Sequence, residues 1–250
     1  MKHSYLTITL LAATFCGCAP KEQTLRIEAG NIKVTAIDSN DGAAEVRAIL
    51  ARDKAYIDSI KSPVLGETAM ALEKYIPESP LMNFAADALM TMAQQHSKEK
   101  VDIAITNKGG LRSNIAAGTV TFGDVYNVFT FENRLADLTL TGEQLTQLCR
   151  EIAKVGGEAI SGMRLEITKE GELVSATVGG KAIEPQAKYR IATLDYLSQG
   201  NDNLTTLAQG TDLEITGYLL RDLMVEYIKN ETAKGRKISA ACDGRITIKE

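Results

Sequence analysis

One strongly marked helix, followed closely by one nearly continuous apolar strand, constrains this chain most. The segment "ESPLMNFAADALMTMAQQ" opens with Ser79, a good N-cap, and Pro80, whose fixed φ suits the first helical position. Leu81, Phe84, Ala85, Ala88, Leu89 and Met92 then recur at the helical period, so one face of this helix must meet a core. A few residues later comes "VDIAIT", residues 101–106, which lacks the strict alternation of a half-exposed strand. It reads as a buried strand, and a buried strand needs covering layers.

The remaining segments interleave helices, strands and hairpins. "DGAAEVRAILARDKAYIDSI" reads as a helix with Ala44, Val46, Ile49, Leu50 and Ile57 on or near one face. "SPVLGETAMAL" reads as extended, and "NRLADLTLT" and "YRIATLDYL" as strands. Capping-box spacing of Thr121 with Asp124, and of Thr141 with Gln144, starts two further helices. "SGMRLEITKEGELVSATVGGKAI" reads as a hairpin turning near Glu170-Gly171, and "LRIEAGNIKVTAID" as two short strands. "LEITGYLLRDLMVEYIKNETAKG" contains a long helix, and "GRITIKE" is a last strand. The fold class is α+β, a mixed β-sheet flanked by helices.

The N-terminus, "MKHSYLTITLLAATFCGC", has Lys2 and then an apolar run too short to span a bilayer. A small residue, Gly17, precedes Cys18, as at a bacterial lipoprotein cleavage site. We expect residues 1–17 to be a signal peptide and Cys18 to become the lipidated N-terminus of an exported, membrane-anchored protein. The plainer alternative is an ordinary secretory signal cut nearby. Residues 18–40 would be the tether with short strands, and 41–250 the main domain. The net charge of −4 argues against nucleic-acid partners, which call for a basic face. Cys149 and Cys242 could pair in an oxidising compartment, but a buried free thiol at Cys149 serves equally well.

After "VDIAIT" comes "NKGGLRSN", Asn107 to Asn114, at the mouth of the buried strand. Read alone, two glycines there can be only a turn. The longer block "ITNKGGLRSNIAAGTVTFGDVYNVFTFENRLADLTLTGEQL" resembles the C-terminal, substrate-binding domain of the 5′-nucleotidases, a family that includes UDP-sugar hydrolases and 2′,3′-cyclic phosphodiesterases. "YRIATLDYLSQGNDNL" resembles the family's strand and G-G-D-G loop, and "ESPLMNFAADAL" its N-L/M-G-N-x-x-x-D-A helix. The resemblance runs from about residue 40 to the C-terminus and implies a 5′-nucleotidase C-terminal-like fold.

The resemblance further implies a nucleoside or nucleotide site. Asn107, Gly109, Gly110 and Arg112 match the glycine turn, Phe131 and Asn133 the P-F-x-N element, Tyr196 the second base-stacking aromatic, and Asp202 the ribose-binding aspartate. These residue types suit that task. Aromatic stacking contributes about 1–3 kcal/mol per base, glycines admit close backbone approach, arginine offers forked donors, and a carboxylate accepts from both ribose hydroxyls. Plainer roles remain open: Phe131 could be core, Tyr196 and Asp202 could pack a loop, and Asn83 and Asp87 could tie their helix to neighbouring backbone. The chain also departs from the family. Thr130 replaces the proline before Phe131, the loop reads Gly200-Asn201-Asp202-Asn203, Lys108 enters the glycine turn, and no arginine lies between Arg52 and Arg112.

The family's metal-dependent catalytic motifs are missing from this sequence. Two-metal hydrolysis needs a cluster of Asp, His and Asn ligands. Only two histidines occur, His3 in the signal and His96, which reads as a solvated residue at a helix end. No Cys/His zinc spacing, nucleophile elbow or P-loop occurs either. Two readings follow. In the first, the chain is the substrate-binding half of a split nucleotidase, has no cofactor of its own, and works with a separate chain carrying the divalent metals. In the second, it is a non-enzymatic lipoprotein module that binds nucleosides or a protein.

Overall fold

A computed structural model describes residues 42–249. The signal peptide, Cys18 and the two short strands expected before residue 40 lie outside the described residues. Helix α1, Gly42–Lys61, forms where its sequence period predicts, but its apolar Val46, Ile49, Leu50 and Ile57 are exposed.

From Val64 onward the chain builds three sheets. Strands β1 (Val64–Thr68) and β3 (Gly118–Thr121) form an antiparallel pair. The central sheet has five strands in the order β10 (Thr211–Leu219), β4 (Arg134–Thr141), β9 (Lys188–Leu194), β2 (Ile103–Thr106), β5 (Ala159–Ser161). Only the β2–β9 pair within it is parallel. The third sheet has the order β11 (Ile246–Ile248), β6 (Met163–Ile167), β7 (Leu173–Val178), β8 (Lys181–Ala182). The mixed pairing and the flanking helices are the α+β arrangement expected.

Local chemistry explains the helices. Helix α2, Pro80–His96, starts where the Ser79 side chain accepts from the Met82 N–H, and Pro80 occupies its first turn. Leu81, Phe84, Ala85, Ala88, Leu89 and Met92 are all buried, and α2 packs on β2 and β5. Every residue of β2 is buried, so that strand is covered on both faces. Helices α3 (Phe122–Val128) and α4 (Gly142–Lys154) carry complete capping boxes at Thr121/Asp124 and Thr141/Gln144. Leu145, Leu148 and Ile152 of α4 join Leu138, Leu140 and Ile191 in the core. Each such side chain contributes roughly 1.5–3 kcal/mol on burial. No helix among the described residues is long and apolar enough to cross a membrane.

Several expectations need correction. The segment from Leu213 contains the expected helix, α5, Leu220–Ala233, but an unforeseen strand precedes it: β10, Thr211–Leu219, pairs with β4. Ile215 and Thr216 are β-branched and Gly217 is a poor helix former, so the backbone pairs before it coils. His96 is not simply solvated. Its side chain is 18% exposed, 3.5 Å from the Glu226 carboxylate and 4.2 Å, ring to ring, from Tyr218. Asn83 donates to the Ala241 carbonyl at 2.9 Å, as a backbone tie should. Asp87 instead holds side chains, accepting from Arg245 at 2.8 and 3.0 Å and from Ser161 at 2.6 Å. Cys149 and Cys242 are both free, the first buried and the second exposed.

Candidate functional site

Strand β2 ends at Thr106, and the chain turns at once through a single 3₁₀ turn, Lys108–Gly110. The turn closes through the Gly110 N–H, which donates to the Asn107 carbonyl at 3.0 Å. Gly110 has no room for a side chain, because a Cβ there would stand 2.7 Å from Asn107 Oδ1. The Asn107 side chain packs against this turn and is 5% exposed.

The second component follows β9. Tyr196 leads into a short 3₁₀ segment, Leu197–Gln199, which ends at Gly200 with φ 83°. Asp202 and Asn203 follow with φ 55° and 63°. The loop thus keeps the left-handed backbone of a glycine-rich loop, with Asp and Asn occupying it. These residues tolerate that region better than most others. The bend aims the Asp202 carboxylate back at the glycine turn. Asn107 Nδ2 donates to Asp202 Oδ2 at 2.6 Å, and the Tyr196 hydroxyl donates to Asp202 Oδ1 at 2.9 Å. Each carboxylate oxygen therefore has one protein donor and further acceptor capacity. The hydrogen bond to Asp202 also holds the Tyr196 phenol above its ordinary pKa, since ionisation would set a phenolate against the carboxylate.

Phe131 and Asn133 come from the segment between α3 and β4. Asn107, Gly109, Phe131, Asn133, Tyr196 and Asp202 together line one cavity of about 230 Å³. Phe131 is 50% exposed and Tyr196 39%, so both rings face this opening more than they fill a core. Asn107 Oδ1 is buried and has no hydrogen-bond partner, leaving an acceptor unspent beside the cavity. Six of the eight expected site residues thus converge. Gly110 lies against Asn107 and lines a smaller second cavity with Phe131 and Asn133. Arg112 does not line the cavity. Its Nη1 donates to the Gly109 carbonyl at 3.3 Å, and the side chain is otherwise exposed.

Lys108 neither crowds the cavity nor offers it a charge. Its ammonium donates to Glu158 Oε1 at 2.9 Å and to the carbonyls of Val155 and Gly157 at 2.9 and 2.8 Å. No feature of the sequence signalled Glu158, a carboxylate only 3% exposed. Burial pushes its pKa up, against the pull of the Lys108 N–H and ammonium. Among the described residues, no three His, Cys, Asp or Glu side chains are placed to share a metal ion.

The arrangement can hold a flat ring beside aromatic faces and pairs of hydroxyls against a carboxylate. Comparison with known proteins identifies relatives of the chain. A trifunctional nucleotide phosphoesterase of Bacillus subtilis is 29% identical over 89% of this chain and 16% of its own length. The 5′-nucleotidase precursor of Thermus thermophilus shares the fold with a TM-score of 0.70 at 24% identity, over 83% of this chain and 43% of that one. The NAD nucleotidase of Haemophilus influenzae matches with a TM-score of 0.63 at 22% identity, over 82% of this chain and 41% of that one. The chain therefore spans less than half the length of these proteins. Residues 59–209 match the family model described as "5'-nucleotidase, C-terminal domain", and the chain belongs to that family.

Proposed function

We propose that this chain is the nucleoside-binding part of a 5′-nucleotidase-type hydrolase, and that the metal-dependent phosphoester cleavage is done by a phosphoesterase on a separate chain. One observation carries the reading: two aromatic rings and a doubly held carboxylate, from segments far apart in sequence, converge on one cavity. In this reading Phe131 and Tyr196 stack on the base. Asp202 accepts from the two ribose hydroxyls through its remaining lone pairs. Arg112, whose one side-chain hydrogen bond among the described residues goes to the Gly109 carbonyl, reaches for the phosphate.

In this reading divalent cations and the attacking water come from the partner chain. Residues 1–17 act as an export signal, and Cys18 carries the lipid that keeps the domain at a membrane surface. The test has two arms. Calorimetry with adenosine, AMP and UDP-glucose measures binding by this chain alone. Mixing the chain with a candidate exported phosphoesterase then measures metal-dependent release of phosphate from AMP. Micromolar binding together with a rate above that of the phosphoesterase alone supports the proposal. Binding without any rate increase leaves a nucleoside-binding lipoprotein and removes the split enzyme, and absence of binding removes both.

A further inference from the structure

We infer that Lys108 and Glu158 are positioning residues for the pocket: the ion pair of the half-buried ammonium with the buried carboxylate locks the turn from which Asn107 holds the Asp202 carboxylate. The inference rests on the nucleoside reading for its functional meaning, but its structural part can be read without ligand.

The turn 107–110 bears both Asn107, which donates to Asp202, and Gly109, which lines the cavity. Its own backbone does little to fix it. One N–H closes the turn, at Gly110, and the next, at Leu111, returns to the Lys108 carbonyl at 3.2 Å. Two adjacent glycines leave such a turn with many unfolded and near-native alternatives.

The Lys74 ammonium holds the far side of the turn, donating to the Lys108 and Leu111 carbonyls at 3.3 and 2.6 Å, and Lys108 supplies the main constraint from both its ends. Its backbone N–H donates to Glu158 Oε2, while its ammonium donates to Glu158 Oε1 and to the Val155 and Gly157 carbonyls. An ammonium has three N–H donors, and all three are engaged. Both oxygens of the same carboxylate grip one residue, so Lys108 can neither rotate nor slide.

The platform that receives Lys108 is itself rigid. Glu158 immediately precedes β5, which pairs antiparallel with β2 in the register Thr106 to Ala159. The ladder thus delivers Glu158 directly beside the start of the turn. Val155 caps the C-terminus of α4, where unpaired carbonyls favour a cation. Gly157 lies at φ 106° with its α-carbon pressed on the Pro77 carbonyl, where a Cβ would stand at 2.4 Å. The resulting chain of contacts runs from the sheet and α4 through Lys108 to Asn107, Asp202 and Tyr196. Removing the Lys108 charge strands the buried Glu158 carboxylate, and neutralising Glu158 frees the half-buried ammonium, so the turn should yield before the sheet does.

The test uses the full chain with Lys108→Met and, as the milder change that keeps an acceptor for the Lys108 N–H, Glu158→Gln. The ligand-free readout is the side-chain amide of Asn107 by ¹H–¹⁵N NMR, with the Asn83 amide as internal control, since Asn83 is held elsewhere by Glu78 and Ala241. The second readout is adenosine affinity by calorimetry. We expect the Asn107 amide to shift and exchange at least tenfold faster in both variants, the Asn83 amide to stay put, and adenosine to bind about tenfold more weakly. If the Asn107 amide responds but the wild-type chain binds no nucleoside, the brace stands and the nucleoside reading falls. If the wild-type chain binds adenosine and both folded variants keep its affinity and the Asn107 signal, the brace is refuted and the reading survives.

Discussion

Replacing Asp202 with Asn isolates the carboxylate's charge from its shape. Asparagine fits the φ of 55° at this position as readily as aspartate, so the backbone carries no new strain. The amide can still satisfy the loop: its oxygen accepts from Asn107 Nδ2 and its NH₂ donates to the Tyr196 hydroxyl oxygen, replacing the present bonds of 2.6 and 2.9 Å. A bound ribose is affected differently. Hydrogen bonds to a charged group contribute about 1.5–3 kcal/mol each, against about 0.5–1.5 for neutral pairs, and one of the two acceptors becomes a donor. The summed loss is about 3 kcal/mol, which is roughly a hundredfold in Kd. Calorimetry should therefore show adenosine bound about a hundredfold more weakly by Asp202→Asn than by wild type. With 2′,3′-dideoxyadenosine, which has no vicinal hydroxyls, the two proteins should agree within about threefold on the same reasoning. An equal loss with both ligands would falsify the assignment, because Asp202 would then act only by ordering the pocket. An unchanged adenosine affinity would place the ribose elsewhere.

Three further outcomes follow from the fold and its electrostatics. Ser79→Ala removes the side-chain acceptor at the start of α2 and should cost about 1 kcal/mol in urea unfolding, while Ser79→Gly should cost only a few tenths; equal stability of all three would show that the cap is dispensable. Burial raises the Asp137 pKa above its ordinary 3.8, so the folded state takes up the proton before the unfolded one does. Stability therefore rises as pH falls from neutral through the folded pKa toward 3.8, and Asp137→Asn should be the more stable protein at pH 7, with the difference from wild type shrinking on acidification. A difference that stays constant with pH would rule this out. The Cys149 thiol is buried and its pKa pushed up to about 12, whereas Cys242 is exposed. Maleimide at pH near 7.5 should label Cys242 in the native chain and reach Cys149 only after denaturation, as peptide mapping would show; native labelling of Cys149 would mean that the α4 face opens.

How far the sequence could be read depended on how far apart the partners lie. The caps of α2, α3 and α4 join residues three positions apart, Ser79 to Met82, Thr121 to Asp124 and Thr141 to Gln144, and all three are evident from spacing. The strand β10 was harder to separate from α5: Ile215, Thr216 and Gly217 favour extended backbone, but the apolar residues run on into the helix, and pairing with β4 sets where the strand ends. The site behaves in the same way. Its members came from ordered motifs, yet membership did not say which way a long side chain turns. Arg112 follows the glycine turn but lies outside the cavity, and Lys108, between Asn107 and Gly109, spends its charge on a carboxylate fifty residues along the chain. Short side chains on a fixed backbone, such as Asn107 and Asp202, have few places to go, so backbone position nearly determines their contacts. Lysine and arginine have many rotamers, and the choice among them is made by acceptors that only the folded chain assembles. In this domain the cation of the turn serves the scaffold, and the cavity is left to be lined by rings and short polar groups whose backbone the fold fixes.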